Sequence, residues 1–135
     1  MLYPPGVTTD SSRDPELFEA IAAAYALVVA ADGVLVEAEI ARVVDWGASE
    51  GFDGPDLHLL RERCRAYAEG LIAHPEDNRP HMLERVAKLE GAGKRATVVL
   101  SAARVAVVAD ARIAEAEEVA LAEIATLLGL DPSLA

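Results

Sequence analysis

Two short acidic patterns are the part of this sequence best suited to chemistry. Asp32, Leu35 and Glu39 spell Asp-x-x-(Leu/Ile)-x-x-x-Glu, and Asp110, Ile113 and Glu117 spell it again. A shift of 78 residues carries the first copy onto the second and aligns residues 24–53 with residues 102–131 without a gap. Glu37/Glu115, Gly51/Gly129 and Asp53/Asp131 match at the same shift. Helical spacing predicts where the acids point. Asp32 follows Val28 by four residues and Tyr25 by seven, so it continues an apolar stripe. Glu117 stands four residues before Leu121 and seven before Ile124, and Glu39 stands likewise before Val43 and Trp46. Each repeat thus aims one Asp and one Glu at the interior end of a helical hairpin. Carboxylates in such a place are costly unless paired, hydrogen-bonded or bound to a cation.

Two chemistries meet that condition. In one, the acids accept N–H bonds from their own turns and only set the angle of each hairpin. In the other, Asp32, Glu39, Asp110 and Glu117 converge on one hard divalent cation, with Glu37 and Glu115 as helpers. An oxygen-only ligand set suits Ca2+, Mg2+ or Mn2+ rather than zinc or copper. The site is not an EF-hand, whose loop needs acidic or amide side chains at alternate positions and a Glu at its end. Asp32 leads instead to Val34 and Val43, and Asp110 to Arg112 and Leu121.

No other group of residues forms a catalytic constellation, so the expected protein is not an enzyme. His58, His74 and His81 lie too far apart for a helical ligand pair, and His74 and His81 read as exposed. Cys64 falls at helical spacing from Leu57, Leu60 and Tyr67, as a small core residue would. Ser101 lacks a nucleophile turn, and Gly91-Ala92-Gly93-Lys94-Arg95 is too short for a phosphate loop and follows a helix. Arg61, Arg63 and Arg65 read as a solvated helix face, and Trp46 as a core plug beside Gly47. The balance of 12 Lys and Arg against 23 Asp and Glu leaves a net charge of −11 over 135 residues. Such a surface repels phosphate backbones and anionic lipid, which argues against nucleic acid or a membrane surface as partner. The single cysteine allows no internal disulfide. No targeting segment is visible, and the longest nearly apolar run, Ala96 to Ala109, falls short of the ~20 residues that span a bilayer. A cytoplasmic protein with no direct membrane insertion is expected.

The elements that must position the acids are helices. Hydrophobic residues make up 53% of the chain and aromatics only 4%, so alanine and aliphatic side chains must fill the core. Residues 1–13 read as a flexible arm, and residues 14–135 as one domain. Asp14-Pro15-Glu16 caps a first helix with Leu17, Ile21, Tyr25 and Val28 on one face, up to the turn at Asp32-Gly33. A second helix begins near Glu37 and ends at Gly51, with Ile40, Val43, Val44 and Gly47 inward. Pro55-Asp56 opens a third. His74 to Pro80 reads as a proline-bracketed turn, followed by shorter helical patterns through Met82, Val86 and Leu89. An apolar helix from about Lys94 to Ala109 and a last one from Glu115 to Leu128, closed by Gly129, complete the chain. No segment alternates with the period of a strand. The expectation is an all-α domain of six or seven helices, built on two helix–acidic turn–helix hairpins at residues 15–53 and 94–131.

The paired turns, Val29-Ala30-Ala31-Asp32-Gly33-Val34-Leu35 through Glu39 and Ala109-Asp110-Ala111-Arg112-Ile113 through Glu117, resemble the TerB-like family of tellurite-resistance proteins. The resemblance covers roughly residues 15–131. It implies an all-α fold of two related hairpins whose acidic turns bind divalent metal, and a place in bacterial stress responses, tellurite resistance among them. A related domain stands at the amino end of a membrane-anchored J-domain co-chaperone. That relation implies a second role, an interaction module with purely structural acids that binds a protein partner or a second copy of itself. An apolar carrier with a cavity between alanine-lined helices is a third. In the second copy, Ala111-Arg112 replaces the Gly and variable residue of the motif, and Arg112 could itself pair with an acid.

Overall fold

The first helix sets the plan of the molecule. In the computed structural model, which describes residues 14–31, 33, 37–108 and 115–132, α1 runs over Pro15–Ala30. Asp14 caps it, its Oδ1 accepting from the Leu17 N–H at 3.2 Å, and Pro15 fills the first turn, where no N–H partner is needed. Every residue from Ala20 to Val29 is buried. The stripe expected on one face is therefore an all-round buried helix. Ala20, Ala22, Ala23, Ala24 and Ala26 make this possible, because methyl side chains let neighbouring helices approach on every side.

Those neighbours are α3 (Gly54–Ala73), α4 (Pro75–Ala87) and α5 (Lys94–Val108), while α2 (Glu37–Ser49) packs on α3 and α5. The last helix, α6 (Glu115–Leu127), closes against α1, α4 and α5. No strand occurs among the described residues, and the architecture is all-α with six helices. Residues 1–13, read from sequence as an arm, lie outside the described residues.

The second helix of each repeat, α2 or α6, ends alike. The Phe52 N–H reaches back to the Gly47 carbonyl at 3.1 Å, and the Leu130 N–H to the Ala125 carbonyl at 2.8 Å. Gly51 and Gly129 hold φ of +101° and +77°, the left-handed conformation that lets the chain turn off a helix. These residues are related by the same 78-residue shift as the acids. Gly47 is fixed by packing instead. A Cβ there would meet Phe52, Leu57 and Leu60 side chains at 3.0–3.2 Å.

Three local readings are corrected. The segment Pro75–Pro80 is not a turn but the start of α4. Pro75 occupies the first turn, Glu76 and Asp77 favour the positive end of the helix, and Asn78 Nδ2 donates to the Gly70 and His74 carbonyls at 3.0 and 2.9 Å. Pro80 removes one N–H within the helix, a loss the exposed carbonyl side can leave to water. The arginines of α3 are not a free solvated face: Arg63 meets Glu19 of α1 at 3.2 Å, and Arg65 clasps Glu37 of α2 with both guanidinium nitrogens. Trp46 is half-buried rather than a core plug, its ring edge-on to Phe52 at 6.0 Å. No helix of the described residues is long and apolar enough to cross a membrane.

Candidate functional site

The acids of the second and sixth helices are sorted by one helical step. Glu37 and Glu115 open α2 and α6 and are exposed, whereas Glu39 and Glu117, two residues on, are only 7% and 2% exposed. Helical geometry explains the difference, since a shift of two residues turns a side chain by about 200°. Glu39 falls on the side of Ile40 and Val43, and Glu117 on the side of Leu121 and Ile124, all buried. The two buried glutamates occupy equivalent positions of the repeat. Asp32 and Asp110 lie outside the described residues.

Glu37, expected as a helper ligand, is held by an arginine. Arg65 binds its carboxylate in a bidentate pair, and that hydrogen bonding holds the Glu37 carboxyl below its ordinary value. Glu115 is exposed at the start of α6. The inward-facing carboxylates of the described residues are therefore Glu39 and Glu117, with a third buried acid, Asp56, doing local work. Asp56 and Asp53 form a reciprocal cap on α3, the Asp56 N–H donating to Asp53 Oδ1 at 2.9 Å and the Asp53 N–H to Asp56 Oδ2 at 3.4 Å.

Tyr25 adds a polar group that periodicity treats as core. Its hydroxyl is fully buried and finds no hydrogen-bond partner among the described residues. Burial pushes the phenol above its ordinary range, and the nearby Cys64, Glu39 and Glu37 push it further. The hydroxyl thus lies within the field of the buried carboxylate of the first repeat. The only hint in the sequence is its place seven residues before Asp32.

The end of α1 and the start of α6 also meet at one surface. Ala30, Ala31 and Gly33, which bracket the first turn, line the same cavity of about 370 Å3 as Ala116, Val119 and Ala120 at the start of α6. The flanks of the first acidic turn and the helix start that carries Glu117 therefore lie on one side of the molecule. Arg79 of α4 spans the cavity to Glu123 of α6 at 2.6 and 2.8 Å, a pair that sequence separation hides.

The donor set is chemically consistent with a hard cation, because the buried side chains available from both repeats are carboxylates. Among the described residues, no three His, Cys, Asp or Glu side chains converge as a metal site. Of the four expected ligands the structure describes two, Glu39 and Glu117, both buried, while Asp32 and Asp110 lie outside the described residues. The three histidines are exposed, and Cys64 is buried with its thiol pushed up by burial, which suits a packing role.

No curated protein and no solved structure is significantly similar to the chain. The family model described as "Tellurite resistance protein TerB" matches residues 18–134, from the first helix to beyond the last glycine turn. With an all-α fold, repeat-equivalent buried glutamates and a match over nearly its whole length, the chain belongs to the TerB tellurite-resistance family.

Proposed function

We propose that this chain is a non-enzymatic, cytoplasmic TerB protein of the bacterial tellurite or general stress response that binds a divalent cation through its paired acidic turns. The ligands are Asp32, Glu39, Asp110 and Glu117, and the ion is calcium, magnesium or manganese. The observation that carries this reading is the burial of Glu39 and Glu117 at repeat-equivalent positions, while their neighbours Glu37 and Glu115 face solvent. A hard cation would supply positive charge to carboxylates that folding takes out of water. Arg65, by holding Glu37 on the outer face of α2, leaves Glu39 as the inward acid of that helix.

Thermal melts with each ion test the proposal. A cation that binds only the folded state adds about 2.7 kcal/mol at a hundredfold excess over its Kd, which raises Tm by roughly 5–10 °C in a domain of this size. The double variant Asp32→Asn with Asp110→Asn keeps turn-capping side chains and loses the rise. A wild-type Tm indifferent to all three ions at millimolar concentration contradicts the proposal. A second reading, a protein-interaction module with structural acids, is favoured by the apolar cavity beside the turns, where Val119 is 63% exposed.

A further inference from the structure

The second repeat opens a helix face that the first repeat covers. Ser101 and Arg104 of α5 stand where Ala23 and Ala26 stand in α1, and both alanines are fully buried. Ser101, Arg104 and Val105 share one face of α5, and with Arg42 of α2 they line a cavity of about 300 Å3. The polar side-chain groups of this lining are two guanidiniums and one hydroxyl, with no acid among them. That balance runs against a chain with 23 Asp and Glu to 12 Lys and Arg. Arg63, Arg65, Arg79, Arg85 and Arg95 each hold a carboxylate. The Arg104 side chain has no such partner among the described residues. Ser101 also departs from the helical threonines. Thr97 and Thr126 donate to the carbonyl four residues back at 3.4 and 3.0 Å, whereas the Ser101 hydroxyl makes no such bond among the described residues.

We propose that this cavity binds a phosphate group, with Arg104 as its main cation, Arg42 as a second from the facing helix, and Ser101 Oγ donating a hydrogen bond. A guanidinium suits phosphate because its planar fork sets two N–H donors on two oxygens. Two like charges on one cavity repel, and a bound dianion replaces that repulsion with attraction. The walls favour a phosphate ester over the free ion. Val105 and the arginine stems are apolar, and about 300 Å3 holds a small organic body beside the phosphate. The net charge of −11 does not forbid such a ligand. At about 0.1 M salt, charges beyond about 10 Å are largely screened, so the guanidiniums set the local sign. The site uses none of the proposed cation ligands and is independent of that reading.

The test uses the full chain, dialysed free of metal and phosphate, at constant ionic strength. Inorganic phosphate and phenyl phosphate are titrated separately and followed by amide shifts, with sodium chloride as the control. Saturable shifts centred on Arg42, Ser101, Arg104 and Val105 are expected at millimolar phenyl phosphate, with inorganic phosphate about threefold weaker. Arg104→Ala, at a half-exposed position, is expected to weaken phenyl phosphate about tenfold, and Ser101→Ala about threefold, with the remaining amide spectrum unchanged. Arg61→Ala, which alters an arginine outside the cavity lining, is expected to leave the affinity unchanged. Three results would overturn the assignment: no saturation by either ligand, full affinity in Arg104→Ala, or an equal loss in Arg61→Ala, the mark of diffuse charge attraction. Inorganic phosphate binding as tightly as the ester would overturn the choice of an ester.

Discussion

The α1–α2 pair and the α5–α6 pair share a sequence pattern but not an environment: α5 packs on α6, whereas the main neighbours of α1 are α3, α4 and α5. Their ends close with the same glycine turn and the same back-reaching hydrogen bond, and both bury the second glutamate of the acidic pattern. Between those fixed points the two copies diverge. Ala26 is fully buried in α1, yet its repeat counterpart in α5 is Arg104, half-exposed beside Ser101 and Val105. Ile40 is buried in α2, whereas its counterpart Glu118 is exposed on α6. Tyr25, with its buried hydroxyl, corresponds to Ala103. Helix α1 is the centre of the domain, and α5 is one of the walls packed on it. The turn pattern is the same in both copies while the packing around each differs. What both copies keep includes the acids and the helix-ending glycine, beside buried identities such as Val29 and Val107.

The largest effect should come from exchanging the two environments. Ala26→Arg places a charge in the all-round buried helix and should cost about 3–5 kcal/mol or unfold the domain. Arg104→Ala, at the equivalent place in α5, should shift stability by no more than about 0.5 kcal/mol. Chemical denaturation of both variants checks the contrast, and similar losses would refute the distinction between centre and wall.

Alkali should next expose the region around the first hairpin. Burial raises the Cys64 thiol and the Tyr25 phenol above their ordinary values of 9.0 and 10.0, so the folded state keeps protons that the unfolded chain releases. Their stability contribution is complete below about pH 9 and is lost as pH rises, at about 1.4 kcal/mol per pH unit for each group once its unfolded form titrates. Cys64→Ala with Tyr25→Phe should flatten the decline between pH 9 and 11 in urea titrations. An undiminished decline would move its cause elsewhere.

The shared turns should respond as equals. Gly51→Ala and Gly129→Ala each force an alanine into the left-handed region, at about 1–2 kcal/mol apiece. A difference much above 0.5 kcal/mol between them would sharpen the comparison by showing that one turn carries extra strain. Tyr25→Phe alone should give the smallest change, between neutral and about 1 kcal/mol stabilising at pH 7, because it removes a buried hydroxyl that has no partner among the described residues. A loss above 1 kcal/mol would reveal a partner for that hydroxyl, bound water included.

The features legible from sequence are those decided within a few residues. Asp14-Pro15-Glu16 and Pro55-Asp56 announce helix starts because capping is local, and Gly129 announces an end because its φ is positive. The inward aim of Glu39 and Glu117 follows from counting turns to buried aliphatics, and the glutamates are indeed buried. Features settled by distant partners were hidden. Pro75 and Pro80 look like breakers until Asn78 is seen fastening α4 to the Gly70 carbonyl. Alanine fits a buried or an exposed face equally well, so the run in α1 gave no sign that every side would be covered. Arg63 and Arg65 found their carboxylates on α1 and α2, and the cavity beside the turns needs residues from four helices. Tyr25 counted as apolar because periodicity registers a ring and overlooks its hydroxyl.

The central claim is that the two repeats share one cation, and a crystal structure of the protein grown with calcium tests it most directly. The account predicts a single ion ligated at about 2.3–2.6 Å by carboxylate oxygens from both copies, Asp32 or Glu39 on one side and Asp110 or Glu117 on the other. Two ordered turns whose carboxylates face apart, with no ion between Glu39 and Glu117, would contradict it.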